Sequence, residues 1–306
     1  MIDLQEIIKF YCEKRGIHTI KYEELNSGWS SDIKLHMITT EGEFLARIVD
    51  YEKVENVKKQ FVYASQIYNN KVLMAKPLFF DIVNNRYVCT LFTWINGIEL
   101  REIVGKHEGQ QQYDWGIQAG KSLKILHSDQ KNIENISWND IYVKKVSKKL
   151  SSYYNCGDKY ENDKILLDYV NNNIDLIKDR PMIIQHGDYH DGNLVVNEEM
   201  KIGIIDYNRI DLGDPWQEFD KTMWSLKYSI DFTRGLIDGY FDKNVPEKFF
   251  RLLALYSSVL QISNLPWAIK YNAKDQVNIC KIQTKRLLSW YNNFNSIVPM
   301  WYEERR

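Results

Sequence analysis

Two polar clusters decide the fold of this chain. Residues 186–193 read HGDYHDGN, and residues 204–209 read IIDYNR. Each cluster ends a short apolar run, at 182–185 and at 203–205, which predicts two strands that deliver polar side chains into loops. Asp188 precedes Asn193 by five residues, and Asp206 follows Asn193 by thirteen. A tight loop of this length can place a carboxylate and an amide in one small site.

The order and spacing of these groups are typical of phosphoryl transfer. In the catalytic loop of protein kinases an Asp accepts the proton of the attacking hydroxyl, and an Asn five residues later and a further Asp hold Mg²⁺. Mg²⁺ takes oxygen ligands and keeps several waters, so one carboxylate, one amide and phosphate oxygens suffice. The sequence therefore predicts a site for Mg²⁺ and a nucleoside triphosphate.

Together with Gly213-Asp214-Pro215, the clusters resemble the aminoglycoside phosphotransferase family of bacterial small-molecule kinases. The resemblance implies an α+β, bilobal, protein-kinase-like fold, with a small antiparallel-sheet N-lobe and a larger, mostly helical C-lobe. It implies that Asp188 is the catalytic base and that Asn193 and Asp206 bind Mg²⁺. His186 and Asp214 would then fix the loops around them.

Composition limits the other classes of function. The 306 residues are 44% hydrophobic and 26% charged, enough for a sizeable core in two domains or one bilobal unit. A net charge of −1 shows no excess of basic residues of the kind that binds nucleic acid, and we expect no such partner. The sequence contains no run of about 18 apolar residues, so we expect no membrane span. The four cysteines form no CxxC pair, and we expect a reducing cytoplasm.

Hydrophobic periodicity divides the chain into two lobes. A helix starts at Leu4, and the remaining N-terminal elements are a hairpin of strands 32–39 and 43–50, a helix at 54–68, and strands 78–83 and 87–95. Helices at 112–127, 163–178, 246–265 and 275–294 follow. We expect residues 1–95 to form a nucleotide-binding lobe and 96–306 a catalytic and acceptor-binding lobe, with a hinge at 95–97.

The resemblance also assigns a nucleotide site to the N-terminal lobe. The loop before the first strand of the hairpin would cover the phosphates, through Ser27, Gly28 and Ser30. The strand before the hinge would offer backbone groups to the purine, at Phe92, Thr93 and Trp94. Side chains there do not distinguish ATP from GTP as the phosphoryl donor.

Two positions depart from the family pattern. Arg47 stands where the family usually has a Lys that contacts the nucleotide phosphates, and Gln60 stands where its partner Glu is expected. Arg can hold phosphate bidentately but is not equivalent to Lys, and Gln cannot form the ion pair. A nucleotide-binding pseudokinase without catalysis is therefore an alternative.

The acceptor side carries a local excess of acid. Residues 186–220 contain nine acidic and two basic residues, a balance of −7. Such a cleft would attract a small cationic hydroxyl acceptor such as an aminoglycoside, with Asp191, Glu218 and Trp267 as candidate contacts. Alternatively, the acids cap the helix that begins near Pro215. Macrolides and choline-like amino alcohols are rival acceptors, and the oligomeric state is open.

A second glycine motif does not fit the pattern of a phosphate loop. Residues 116–122 read GIQAGKS, but the spacing is one residue short and no strand precedes it. Trp115, Ala119 and Leu123 continue a helical face through the segment. We therefore expect a helix there.

Overall fold

The computed structural model describes residues 3–25, 32–128, 130 and 137–303. The helices are α1 Leu4–Arg15, α2 Val54–Ile67, α3 Leu100–Ile103, α4 Gly109–Ser128, α5 Trp138–Tyr154, α6 Asp163–Asn173, α7 Thr222–Ser225, α8 Ile230–Phe241, α9 Glu247–Lys270, α10 Lys274–Trp290 and α11 Met300–Glu303. The strands are β1 Thr19–Glu24, β2 Ile33–Thr39, β3 Gly42–Asp50, β4 Pro77–Val83, β5 Tyr87–Thr93, β6 Ile98–Glu99, β7 Ile183–Gln185, β8 Leu194–Val196, β9 Ile202–Ile204 and β10 Asp211–Gly213.

The N-terminal part is an antiparallel sheet in the order β1-β2-β3-β5-β4. Both predicted hairpins are present, and β2 pairs with β3 from Ile33↔Ile48 to Thr39↔Gly42. The prediction missed β1. This edge strand has no alternating apolar face, because four of its six residues are exposed, so the period-2 signal is absent.

One face of the sheet is covered by α1. Ile7 and Tyr11 are fully buried against Leu35, Met37 and Ile48, which the alternation of β2 and β3 directs to that face. This leaves the alternate residues of the same two strands on the opposite face, where α2 covers only part of the sheet.

The rest of the chain is mostly helical and built around α9. Its 24 residues are long and apolar enough to cross a membrane, but 72% of the apolar window is buried inside the protein, as for a core helix. The prediction ended this helix at residue 265, before Pro266. The helix instead continues to Lys270, because tertiary packing that buries Leu265 and Ala268 outweighs the hydrogen bond that proline removes.

Short strands connect the sheet to the helical part. The order β6-β8-β9 forms one small sheet, and β10 pairs with β7 in another. The segment after α2 bonds to β9: Ile204 N–H donates to the Leu73 carbonyl at 2.9 Å, and Ala75 N–H to the Ile204 carbonyl at 3.1 Å. The end of β9, just before Asp206, is thereby fixed against the N-terminal part.

The glycine residues of the 116–122 segment have a packing role. Gly116 and Gly120 lie on α4 where it crosses α8, and a Cβ at Gly116 would lie 2.2 Å from the Phe232 carbonyl oxygen. On the facing helix, a Cβ at Gly235 would lie 2.2 Å from the Tyr113 carbonyl oxygen. The two backbones approach so closely that only glycine fits, and the expected helix is confirmed.

Replacing Gly116 by Ala should therefore destabilise the protein. The added methyl group would separate α4 from α8, and overpacking of this kind costs about 1–3 kcal/mol despite the higher helix propensity of Ala. Urea unfolding of G116A measures this change. Gly157→Ala is the matched control, since no atom lies within 4 Å of its Cβ position. Equal stabilities for the two variants would contradict the packing role.

Candidate active site

The loop after β7 depends on one glycine. Gly187 has φ +80°, and a Cβ there would lie 2.0 Å from the carbonyl oxygen of Arg209. Any side chain is excluded by both conformation and contact. The close approach brings the 186–193 loop against the 206–210 loop, so the two polar clusters meet.

His186 links the same two loops through both ring nitrogens. Its Nε2 lies 2.9 Å from the Ile205 carbonyl oxygen, and its Nδ1 accepts from the Asp188 N–H at 3.3 Å. These partners assign the proton to Nε2. The imidazole thus holds the Asp188 backbone N–H and the carbonyl of the residue before Asp206 at fixed positions.

Asn193 and Asp206 are brought together by the β8–β9 pairing. Ile205 N–H donates to the Asn193 carbonyl at 3.1 Å, so Asp206 follows directly beyond Asn193. The Asn193 amide nitrogen donates to the Asp188 carbonyl at 2.8 Å, which turns its Oδ1 away from that carbonyl. Asp206 has φ +63°, a left-handed conformation that is unusual for a residue other than glycine and often marks functional sites.

The Asp188 carboxylate lies beside the Arg209 guanidinium group and the His190 imidazole. Its Oδ2 lies 3.6 Å from Arg209 Nε, and its Oδ1 lies 3.7 Å from His190 Nε2. Burial raises the pKa of Asp188, but His190, Arg209 and Lys221 together hold it well below its ordinary value. Asp188 is therefore ionised at neutral pH. Its Oδ1 is buried and has no hydrogen-bond partner within the described part of the chain, while the side chain as a whole is 13% exposed.

The donor set fits a magnesium ion that phosphate oxygens complete. Asn193 offers an amide oxygen and Asp206 a carboxylate, both hard ligands. The described ranges contain no cluster of three or more His, Cys, Asp or Glu residues suited to a metal held by protein alone. Asp206 already accepts a cation, since Lys34 Nζ lies 2.9 Å from its Oδ2.

Lys34 is a site residue that the sequence interpretation missed. It lies on β2 directly opposite Arg47 on β3, and both side chains are on the face away from α1. Its side chain is only 12% exposed. The signal was available, because Lys34 alternates with the apolar residues Ile33 and Leu35, which were used to identify the strand.

Arg47 and Gln60 lie at the positions that the sequence predicted, with partners of their own. Arg47 Nε donates to Asp32 Oδ2 at 2.8 Å and Nη1 to Gln60 Oε1 at 3.3 Å. Burial raises the pKa of Asp32, but Arg47 and Lys53 bring it below its ordinary value. The Gln60 amide also donates to the Asn208 carbonyl at 2.6 Å. An ionised Glu could not donate this last hydrogen bond, so the structure accounts for an amide at position 60.

The strand before the expected hinge is placed less favourably than predicted for purine contacts. Thr93 N–H donates to the Lys76 carbonyl at 2.9 Å and Trp94 N–H to the Glu43 carbonyl at 3.0 Å. The Phe92 ring packs against Tyr207, 5.9 Å between centroids. The N–H groups of residues 93 and 94 are therefore occupied by the protein itself, because β5 pairs on both sides in the sheet.

Ser27, Gly28 and Ser30 lie outside the described residues.

Two predicted acceptor contacts are corrected by their surroundings. Asp191 is fully buried; its carboxylate accepts from Arg101 Nε at 2.7 Å and from the Ser225 hydroxyl at 2.5 Å. Glu218 is buried as well and accepts from the Gly187 N–H at 2.8 Å. Both carboxylates support the 186–193 loop from inside, so neither faces an open acceptor surface.

Asp214 lies in the protein interior, whereas Trp267 lies at the surface. Asp214 is fully buried and accepts two hydrogen bonds from Arg180, at 2.7 and 2.8 Å, and one from the Tyr256 hydroxyl at 2.6 Å. It anchors the loop after β10, in keeping with the loop-fixing role predicted for it. Trp267 is 41% exposed and lines a groove between α5 and α9.

A five-stranded antiparallel sheet followed by a mostly helical part is the architecture of protein-kinase-like folds. The sequence profile of the phosphotransferase enzyme family, APH, matches residues 21–250. The chain belongs to this family, which confirms the resemblance. A search of curated proteins finds no match.

Solved structures share the fold at low sequence identity. The aminoglycoside phosphotransferase APH(4)-Ia aligns with a TM-score of 0.67 at 13% identity, over 94% of this chain and 98% of that one. The GDP complex of wild-type aminoglycoside 2'-phosphotransferase-IIIa gives 0.68 at 12%, over 94% and 98%. The GDP and kanamycin complex of APH(2")-IIia gives 0.66 at 12%, over 92% and 98%. Identities this low establish the fold alone.

The charge environment of Asp188 predicts a defined pH dependence. Its folded-state pKa is depressed, so its ionisation contributes stability above the unfolded pKa of about 3.9, and this stability is lost as pH falls. Asp188→Asn removes the contribution. The wild-type protein should exceed D188N in unfolding free energy by about 0.7 kcal/mol more at pH 7 than at pH 3.5, because most of the loss occurs at still lower pH, towards the folded-state pKa.

Urea unfolding between pH 3.5 and 7 measures that difference. Asp168→Asn is the control, since Asp168 forms an exposed pair with Lys164 on α6. A D188N difference that stays constant over the range would contradict the electrostatic interpretation.

Proposed function

We propose that this protein transfers the γ-phosphoryl group of ATP or GTP to a hydroxyl of a small molecule. The observation that carries the proposal is the junction at Gly187 and His186, which brings the Asp188 loop against the segment that carries Asp206. The family and its structurally similar members, some of them in complexes with ADP or GDP and an aminoglycoside, support the same reaction class.

In this proposal Asp188 orients the acceptor hydroxyl and receives its proton. A carboxylate with a depressed pKa is a weak base, but a loose phosphoryl-transfer transition state requires positioning more than base strength. The exposed part of its side chain, 13% of the whole, is where the hydroxyl hydrogen bond would be accepted. Asn193 and Asp206 would hold Mg²⁺, which offsets negative charge on the phosphates when it is bound.

The cations of the sheet would hold the triphosphate. Lys34 and Arg47 lie side by side on the face of β2 and β3 that α1 leaves free, and phosphate oxygens could replace Asp206 and Asp32 as their partners. The N–H groups of Ile95 and Asn96 make no hydrogen bond within the described ranges. They are the better candidates for the purine edge.

The roles of the two lobes, the cellular location and the acceptor are also proposals. Residues 1–95 would bind nucleotide and residues 96–306 would carry catalysis and the acceptor, with the hinge at 95–97. The four free cysteines favour a reducing cytoplasm. A polycationic aminoglycoside is one candidate acceptor, and a pseudokinase that binds nucleotide without transfer is the alternative that the experiment below separates.

Asp188→Ala should abolish transfer while leaving nucleotide binding nearly unchanged. Loss of a positioned acid–base group reduces turnover by about 10²–10⁴-fold. Calorimetric titration with a non-hydrolysable triphosphate analogue measures binding, and acceptor-dependent release of nucleoside diphosphate measures turnover. Full turnover in D188A would contradict the role of Asp188. Mg²⁺-dependent binding without transfer in the wild-type protein would favour the pseudokinase.

Lys34→Met should raise the KM for the triphosphate by about tenfold or more, since hydrogen bonds to charged groups contribute about 1.5–3 kcal/mol. Lys34→Arg should recover part of the loss. Lys21→Met, an exposed lysine on the edge strand β1, is the control. An unchanged KM in K34M would remove Lys34 from the nucleotide site.

A further inference from the structure

His190 lies two residues after Asp188 in the 186–193 loop, and the proposed reaction gives its imidazole no task. The side chain is only 9% exposed. Its ring packs edge-to-face against Trp224, with 5.3 Å between the ring centroids. A buried imidazole needs hydrogen-bond partners for both of its nitrogens, because an unpaired polar group in the interior is costly. The partners of the two nitrogens therefore indicate what this side chain does.

Two hydrogen-bond donors reach Nδ1 of His190. The Gly192 N–H donates to it at 2.9 Å, and Arg101 Nη2 lies 3.0 Å from it. Backbone N–H groups and guanidinium groups only donate, so Nδ1 acts as the acceptor and the ring proton is assigned to Nε2. The surroundings of the ring thus select one tautomer.

The Arg101 guanidinium group is itself fixed by a buried carboxylate. Arg101 Nε donates to Asp191 Oδ2 at 2.7 Å, and the Ser225 hydroxyl donates to Asp191 Oδ1 at 2.5 Å. A Cβ at Gly192 would lie 2.4 Å from Arg101 Nη2, so the guanidinium group lies directly against the loop. Because Asp191 is fully buried, Arg101 cannot move away from His190 without leaving that carboxylate unpaired.

The other nitrogen of His190 faces Asp188. Its Nε2 lies 3.7 Å from Asp188 Oδ1, a buried oxygen to which no group among residues 3–25, 32–128, 130 and 137–303 donates a hydrogen bond. This separation exceeds a hydrogen bond by only about 0.5–1 Å. Catalytic hydrogen bonds are often long in a free enzyme and shorten when the substrates bind. A small movement would therefore give the buried oxygen the donor that it lacks.

We propose that His190 is a positioning residue for Asp188. In the complex with both substrates, His190 Nε2–H donates to Asp188 Oδ1, and this leaves Oδ2, on the side of the half-exposed Arg209, for the acceptor hydroxyl. Arg101 keeps the imidazole in the tautomer that this hydrogen bond requires. The inference rests on the proposed function and gives the two oxygens of its base different tasks.

The imidazole keeps its proton throughout the transfer. The acceptor oxygen forms a bond to the γ-phosphorus while the bond from that phosphorus to the bridging oxygen breaks. The hydroxyl proton passes to Oδ2 of Asp188 and then to solvent. The products are a phosphate monoester and a nucleoside diphosphate, and no oxidant or further reactant is needed.

Nuclear magnetic resonance tests the tautomer directly. The full-length protein is labelled with ¹⁵N-histidine and measured at neutral pH with a saturating non-hydrolysable triphosphate analogue and Mg²⁺. The His190 signals are those missing from His190→Gln. We expect a proton on Nε2 and none on Nδ1, and Asp188→Ala should shift the Nε2 proton resonance upfield because its charge-assisted hydrogen bond is lost. A proton on Nδ1, or no upfield shift in D188A, would overturn the inference.

Kinetics test the positioning role. His190→Leu should lower kcat about tenfold or more and leave the KM for the triphosphate nearly unchanged, because the lost hydrogen bond to a charged group acts on the acceptor side. His190→Gln should recover part of kcat, since its amide can donate in place of Nε2–H. His18→Gln, at a side chain that is 60% exposed, is the control.

Release of nucleoside diphosphate is measured with kanamycin and with water as acceptors. An unchanged kcat in H190L, or equal losses in H190L and H190Q, would contradict the positioning role. If the wild-type protein does not bind the triphosphate analogue, the proposed function fails and this inference fails with it. If the wild-type protein and H190L turn over equally well, only the role of His190 is wrong.

Discussion

The polar site depends on one imidazole. His186 accepts from the backbone next to the proposed base and donates to the backbone next to the proposed metal ligand Asp206. Without this bridge, the two loops would be joined mainly by the close backbone approach at Gly187. Because the β8–β9 pairing fixes Asn193 against residue 205, three polar groups separated by up to eighteen residues share one location.

Buried charge determines how the loop is held. Arg101 with Asp191, Arg180 with Asp214, and Glu218 with the Gly187 N–H each join a carboxylate to a group on another element. Removing the partner of a buried carboxylate strongly destabilises the folded protein. These contacts therefore fix the loops in one arrangement. Four of the nine acidic residues in residues 186–220, namely Asp191, Asp214, Glu218 and Asp220, are thus buried and structural, although the number of acids in the sequence suggested recognition of a cation.

The sequence predicted the features that rest on local spacing. The order and spacing of Asp188, Asn193 and Asp206 predicted that these residues meet in two adjoining loops, and apolar alternation predicted the N-terminal strands β2 to β5. It failed where tertiary context decides. Strand β1 has no apolar face, α9 continues through Pro266 because packing buries Leu265 and Ala268 on either side of it, and the burial of Asp191 and Glu218 depends on partners distant in the chain. Lys34 was missed because the apolar residues on either side of it were sufficient to identify the strand, and the charge between them played no part in that prediction.

The contact between Lys34 and Asp206 joins residues 172 positions apart. An ammonium group at this carboxylate competes directly with any divalent ion for the same oxygens. The free energy needed to release the lysine is therefore subtracted from the intrinsic affinity of the metal. A triphosphate that offers the lysine a new anionic partner removes this penalty, so metal and nucleotide would bind with positive cooperativity even if neither moved the backbone.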